Sequence, residues 1–160
     1  EGWIIGSEDE DPAYGQECRA LARGLGIEKR IRFLGHRNVA DILPQLGLLM
    51  LTSISEAQPL AILEAFAVGV PCVATDVGAC REQIEGSTDE DRALGRAGRI
   101  APFADARALA DAALDLFSDF DAWKACQAAG RQRVERFYAE ATMLDEYRGV
   151  YLRAMRIEED

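Results

Sequence analysis

Two carboxylates eight positions apart, Glu56 and Glu64, bracket the segment Ala57-Gln58-Pro59-Leu60-Ala61-Ile62-Leu63. A helix starting near Pro59 or Leu60 turns its first N–H groups into the preceding loop, where donors and dipole together favour an anion such as phosphate. Proline suits the first helical position, because the N–H it lacks has no partner there. Glu64 then falls more than one turn inside the helix. If it faces the same rim, its carboxylate can accept two hydrogen bonds from a vicinal diol, as the acidic residue of dinucleotide folds does for ribose. Glu56, in the loop, is placed to meet whatever lies beyond the phosphates. On spacing alone the pair reads equally well as a capping Glu and a surface Glu.

Other chemistries find little support. His36 is the only histidine, and no Ser, Cys or second His beside it suggests a triad; it reads as a loop side chain, with a ligand contact as the alternative. There is no GxGxxG after the first apolar run and no GxxxxGK[ST], so neither a nicotinamide site nor a P-loop is indicated. No GxSxG elbow is present. Cys18, Cys72, Cys80 and Cys126 show no CxxC spacing, which points to reduced thiols in a cytoplasmic protein. The acidic run from Glu8 to Asp11 could bind a metal, but it reads better as a solvated helix start ahead of Pro12. A net charge of −10 argues against nucleic-acid or anionic-membrane partners, which need clustered Lys and Arg. No apolar run approaches the roughly 20 residues that span a bilayer.

The elements that must position the two glutamates follow from apolar periodicity. Strands are expected at residues 3–5, 30–35, 48–53, 72–75 and 99–101, each ending near Gly, Ser or Pro. Helices are expected at residues 12–23, with Cys18, Leu21, Ala22 and Leu25 on the apolar side, and at 39–46, shortened or distorted by Pro44. A further short helix is expected at 80–84. Residues 87–98 read as an exposed loop or a frayed turn. Beyond residue 101 the chain reads as helical: Asp105 caps a helix carrying Leu109, Ala112, Ala113 and Leu116. Another begins at Asp119 or Asp121 with Gly130 as a weak interruption, and the last covers residues 142–157. The fold class is therefore α/β: one Rossmann-like parallel sheet of about five strands, helices on both faces, and C-terminal helices. Ligands of such sheets bind at the carboxyl ends of the strands. Gly6-Ser7, Gly35-His36, residues 53–59 and Asp76-Val77-Gly78 are accordingly expected on one rim.

The segment Ser53 to Gly78, with Glu56 and Glu64 inside S-x-S-E-A-Q-P-L-A-I-L-E-A-F-A-V-G-V-P-C-V-A-T-D-V-G, resembles the E-x7-E segment of retaining glycosyltransferases of family 4. These enzymes have two facing Rossmann-like domains (the GT-B fold). Ile31-Arg32-Phe33-Leu34-Gly35-His36 is similar to the strand-and-loop step that precedes that segment in the family. Residues 6–12, 38–44 and 90–95 resemble the branch that builds an exopolysaccharide. The resemblance covers essentially the whole chain as a single donor-binding domain.

It implies that Glu64 binds the ribose of a nucleotide sugar, with UDP-glucose the expected donor, and that Glu56 sits at the donor sugar and reacting centre. Backbone N–H groups of Ala57, Gln58 and Leu60, around Pro59, would meet the diphosphate or sugar, and Gly35-His36-Arg37 would lie along the base. No metal or cofactor is implied beyond the nucleotide-sugar substrate. The polysaccharide acceptor would be held by a partner domain upstream of Glu1, together with the Arg and Lys that flank the diphosphate. This chain alone is therefore expected to be inactive, and the parent's setting in a membrane-associated synthesis complex stays open. A non-catalytic nucleotide- or sugar-binding regulatory module, or a structural interaction domain, is the alternative class.

Overall fold

Among the described residues all strand pairs run parallel, as expected where apolar runs alternate with helical stretches. The computed structural model describes residues 1–157 apart from Glu8 and Glu10, so the reading of the acidic run falls partly outside the described residues. The chain forms two units, Glu1–Ile42 and Leu43–Asp160, and the five expected strands divide between them as a pair and a triple.

In the first unit β1 (Gly2–Ile5) pairs with β2 (Ile31–Gly35), and Gly6 N–H extends the ladder to Gly35 O at 3.1 Å. Between them runs α1 (Pro12–Gly24), with Pro12 in its first turn. Asp11 accepts a hydrogen bond from Tyr14 N–H at 3.0 Å, filling one of the free donors of the helix start. Only Ala22 of its expected apolar side is buried; Leu21 and Leu25 are exposed, so the stripe read from the sequence is not the packed face. The expected helix at residues 39–46 is α2 (Val39–Ile42) followed by a 3-10 turn, Leu43–Gln45. That tightening falls at Pro44, which cannot donate to an α-helical ladder.

In the second unit β3 (Leu49–Leu51), β4 (Cys72–Thr75) and β5 (Gly98–Ala101) lie in that order. All four residues of β4 are buried, which explains its unbroken apolar run: a central strand covered on both faces has no polar side. Cys72 and Ala74 pack with Ile62 and Phe66 of α3 (Leu60–Ala67), Cys80 and Ile84 of α4 (Cys80–Glu85), and Ala129 of α7 (Phe120–Phe137). Val73 meets Leu109 and Ala113 of α6 (Ala106–Ser118) in a separate cluster. Strand β3 is shorter than expected, because Ser53 leaves the ladder and its carbonyl accepts from the Thr75 hydroxyl at 2.6 Å.

The second unit also corrects two expectations. Gly130 does not interrupt α7; it is buried, and a Cβ there would lie 3.0 Å from the Phe66 ring. The missing side chain lets α3 and α7 approach. Residues 87–98, read as an exposed loop or a frayed turn, do hold a single helical turn, α5 (Asp89–Arg92), but it is anchored rather than frayed: Thr88 caps it, and Asp91 is fully buried against Arg133 of α7. Asp105 and Asp119 cap α6 and α7 as their sequences predict. The last helix, α8 (Glu140–Ile157), exposes Met143, Leu144, Tyr147, Val150 and Tyr151. Among the described residues no helix is long and apolar enough to cross a membrane.

Candidate functional site

The loop from β3 to α3 is fixed by its carbonyl groups. Ser53 O accepts from Thr75 Oγ1–H, Ala57 O from Ala79 N–H at 2.9 Å, and Pro59 O from Gln83 Nε2–H at 3.3 Å. All three donors lie on β4, the turn after it, or α4. Gly78 permits this approach: its φ is +51°, and a Cβ there would fall 2.1 Å from Glu56 O. Any side chain would meet loop backbone as well as paying the left-handed penalty.

The planar trans peptide converts those anchored acceptors into aimed donors. In each peptide plane the C=O and the next residue's N–H point in opposite directions. Holding Ala57 O and Pro59 O against the β4–α4 side therefore turns the Gln58 and Leu60 amides the other way, towards open surface. Among the described residues nothing accepts from the N–H groups of Ala57, Gln58 or Leu60. Helix α3 begins at Leu60, with Pro59 as its N-cap rather than its first helical residue. No side chain caps it and its first turn holds no acid, whereas α1, α5, α6 and α7 are each capped by Asp or Thr. Helix α4 also starts without a side-chain cap, but its Ala79 N–H is taken up by Ala57 O; the α3 start is preceded by unpaired, aimed amides, and an anion is the ligand that such an arrangement favours.

The two glutamates differ in how they are held. Glu56 is half-buried in the loop, and Ser53 Oγ–H donates to its Oε1 at 2.6 Å. Glu64 is the fifth residue of α3 and exposed. Ala57, Gln58 and Leu60 are also exposed, and Pro59 is buried. These six residues of the expected site are therefore brought together on one loop and one helix. Gly35, His36 and Arg37 belong to the first unit: Gly35 ends β2 with φ +65°, and His36 and Arg37 are exposed beyond it. Within that unit the carboxyl ends of β1 and β2 meet at Gly6 and Gly35.

Sequence reasoning did not single out Thr75, Ala79 or Gln83 as parts of the site. Gly78 in an Asp-Val-Gly turn carried a local signal; a Gln inside a short helix carried none. Nearby charges are internally matched. Arg81 is gripped by both oxygens of Asp76, at 3.1 and 2.6 Å, and by Glu85; the Asp76 hydrogen bond, then Glu85, raises its pKa further. Burial pushes the Cys80 thiol up, and the Glu56 and Asp76 charges add to that against a backbone hydrogen bond at Val77.

The chain is similar to known proteins in sequence and in fold. A family model described as "Glycosyl transferases group 1" matches residues 1–119. The chain is 31% identical over 137 residues to N-acetyl-alpha-D-glucosaminyl L-malate synthase of Bacillus anthracis, covering 85% of this chain and 34% of that protein. It is 33% identical over 158 residues to the lipopolysaccharide core biosynthesis mannosyltransferase LpsB of Rhizobium meliloti (strain 1021), covering 97% of this chain and 43% of LpsB. The chain thus spans less than half the length of these curated relatives. The crystal structure of Anabaena Alr3699/HepE in complex with UDP-glucose shares the fold, with a TM-score of 0.78 at 21% identity over 95% of this chain and 40% of that one.

Proposed function

The chain belongs to the group 1 glycosyl transferases, and from that premise we propose that it is the donor-binding half of a retaining glycosyltransferase. The observation that carries the reading is the loop before α3, whose carbonyls are bonded inward while its amides and the uncapped helix start face outward between Glu56 and Glu64. In this reading the diphosphate of a nucleotide sugar sits on the N–H groups of residues 57–60. Glu64 takes the ribose hydroxyls, and Glu56, steadied by Ser53, orients the sugar at the reacting centre. In the transfer, the bond from the anomeric carbon to the diphosphate oxygen breaks and its electron pair leaves with the nucleoside diphosphate. The acceptor hydroxyl oxygen forms the new bond on the same face of the sugar and passes its proton to the departing diphosphate oxygen. Fixed donors at the departing diphosphate act where negative charge develops, which is where preorganised dipoles lower a barrier most.

UDP-glucose is the donor we assign. Support comes from the resemblance of residues 6–12, 38–44 and 90–95 to PelF, the glucosyltransferase of Pel exopolysaccharide synthesis, and from the UDP-glucose bound in the fold relative HepE. An exopolysaccharide acceptor, held by a second domain, and a cytoplasmic setting complete the proposal; the four cysteines are unpaired. Calorimetry with UDP, GDP and UDP-glucose tests it. UDP and UDP-glucose are expected to bind more tightly than GDP, and Glu64→Ala to weaken both about tenfold or more, the cost of losing hydrogen bonds to a charged group. Binding of none of the three, or binding indifferent to Glu64→Ala, would sink the site.

A further inference from the structure

Gln83 is fully buried, yet its amide is only half used: Nε2–H donates to Pro59 O at 3.3 Å, while Oε1 has no partner among the described residues. A buried acceptor without a partner destabilises a fold, and an apolar residue of the same shape removes that cost. The oxygen contributes nothing to the fold here; the amide nitrogen is the part of Gln83 that the structure uses. The atom it reaches is the informative one, because Pro59 O belongs to the peptide whose other end is the Leu60 amide, the first N–H of α3.

The element that carries Gln83 is itself clamped at both ends. At the start of α4, Ala79 N–H is bonded to Ala57 O; near its end, Arg133 donates to Ile84 O at 2.8 Å and lies 3.4 Å from Gln83 O. A side chain on so fixed a helix transmits that fixity to whatever it holds. We propose that Gln83 is a positioning residue for the donor diphosphate: by holding Pro59 O inward it aims the Leu60 amide, and with it the start of α3, at the anion. The inference rests on the donor-site reading above and adds to it a residue outside the E-x7-E segment. Gln83 touches no ligand in this account and acts only through the Pro59–Leu60 peptide.

The test compares the chain with its Gln83→Met variant, which keeps the side-chain length and deletes both polar atoms; Gln83→Leu repeats it with different packing. Titration with UDP and with uridine separates phosphate contacts from base and ribose contacts. The expected result is about tenfold weaker UDP binding, unchanged uridine binding, and a melting temperature close to that of the unsubstituted chain. Hydrogen exchange without ligand gives an independent reading, with faster exchange expected at Leu63 and Glu64, which lead the α3 ladder, and none at Leu116 in α6. Unchanged UDP affinity with unchanged exchange overturns the inference. So does an equal loss of UDP and uridine binding with a lowered melting temperature, which marks a merely structural residue. If the parent chain itself binds no UDP, the donor-site reading fails, and with it the diphosphate role of Gln83, whatever the exchange at α3 shows.

Discussion

The second unit holds two polar clusters that treat hydrogen bonds in opposite ways. Around Arg133 every donor is matched: Nε meets Asp91 Oδ1, one terminal nitrogen meets Gln83 O and Ile84 O, and the other meets Asp91 O and Gly95 O. Both members of the ion pair have no exposed side-chain surface, and Asp91 Oδ2 accepts from Ser87 N–H at 3.0 Å. At the β3–α3 loop the Ser53, Ala57 and Pro59 carbonyls are matched, while the Ala57, Gln58 and Leu60 amides are not. The first cluster is closed and has nothing left to offer a ligand. The second keeps its donors free. A buried polar group is tolerated when it is satisfied; a selectively unsatisfied surface, built on a rigid frame, is what a binding site requires.

The largest effect should come from opening the closed cluster. Arg133→Met leaves the Asp91 carboxylate buried with one remaining amide donor, and losing one partner of a buried pair costs about 3–5 kcal/mol. Urea unfolding should show that loss, and Arg133→Met with Asp91→Leu should recover part of it, since an apolar pair removes the stranded charge. A loss below about 1 kcal/mol, the range of a surface pair, would mean that water already reaches Asp91 and that the contrast between the two clusters is false.

A smaller effect is expected from pushing on the open cluster. Gly78→Ala places a methyl group against Glu56 O and holds alanine at positive φ, a strain of roughly 1–3 kcal/mol. The loop is the softer partner and should move. UDP affinity is then expected to fall at least about tenfold while most of the folding stability remains. If stability falls and UDP affinity does not, the loop is not where the anion binds, and its outward amides have another explanation.

The open cluster was partly legible in the sequence because its signals are local. Glu56, Pro59 and Glu64 lie within one loop and helix, and the Asp caps of α6 and α7 stand immediately before the residues they serve. The closed cluster was not legible. Asp91 sits in Asp89-Glu90-Asp91-Arg92, which resembles any solvated run, and its partner is 42 positions away on a helix whose other arginines, Arg131 and Arg136, are exposed. Nothing in the pattern marks Arg133 as the buried one. The same holds for Gln83, whose contact is 24 positions back along the chain. Strand membership could be read, but the pairing of five strands into two sets could not, since parallel partners are joined only through long crossovers.

The smallest effect separates the core beneath the site from both clusters, and pH reads it. Cys72 lies at the start of β4 with no exposure, and burial, with Cys80 adding to it, pushes its thiol well above the ordinary range. The folded state thus holds the proton more tightly than the unfolded chain does. Stability from this source is complete below the ordinary thiol pKa of about 8.5 and falls as pH rises above it, because only the unfolded chain then ionises. Between about pH 7.5 and 9.5 Cys72 alone should account for roughly 1 kcal/mol, read as a falling urea midpoint. Half-buried Tyr138 is also pushed up, by partial burial first and then by Asp91, but from a higher ordinary value, so it contributes above that window. Burial also pushes the Cys80 and Cys126 thiols up, so each adds to the slope, and Cys72→Ala should remove the Cys72 share of it. A midpoint that holds steady to about pH 9.5 would show that the thiols ionise in the folded chain, and that the sheet under the open cluster is too wet to serve as its rigid frame.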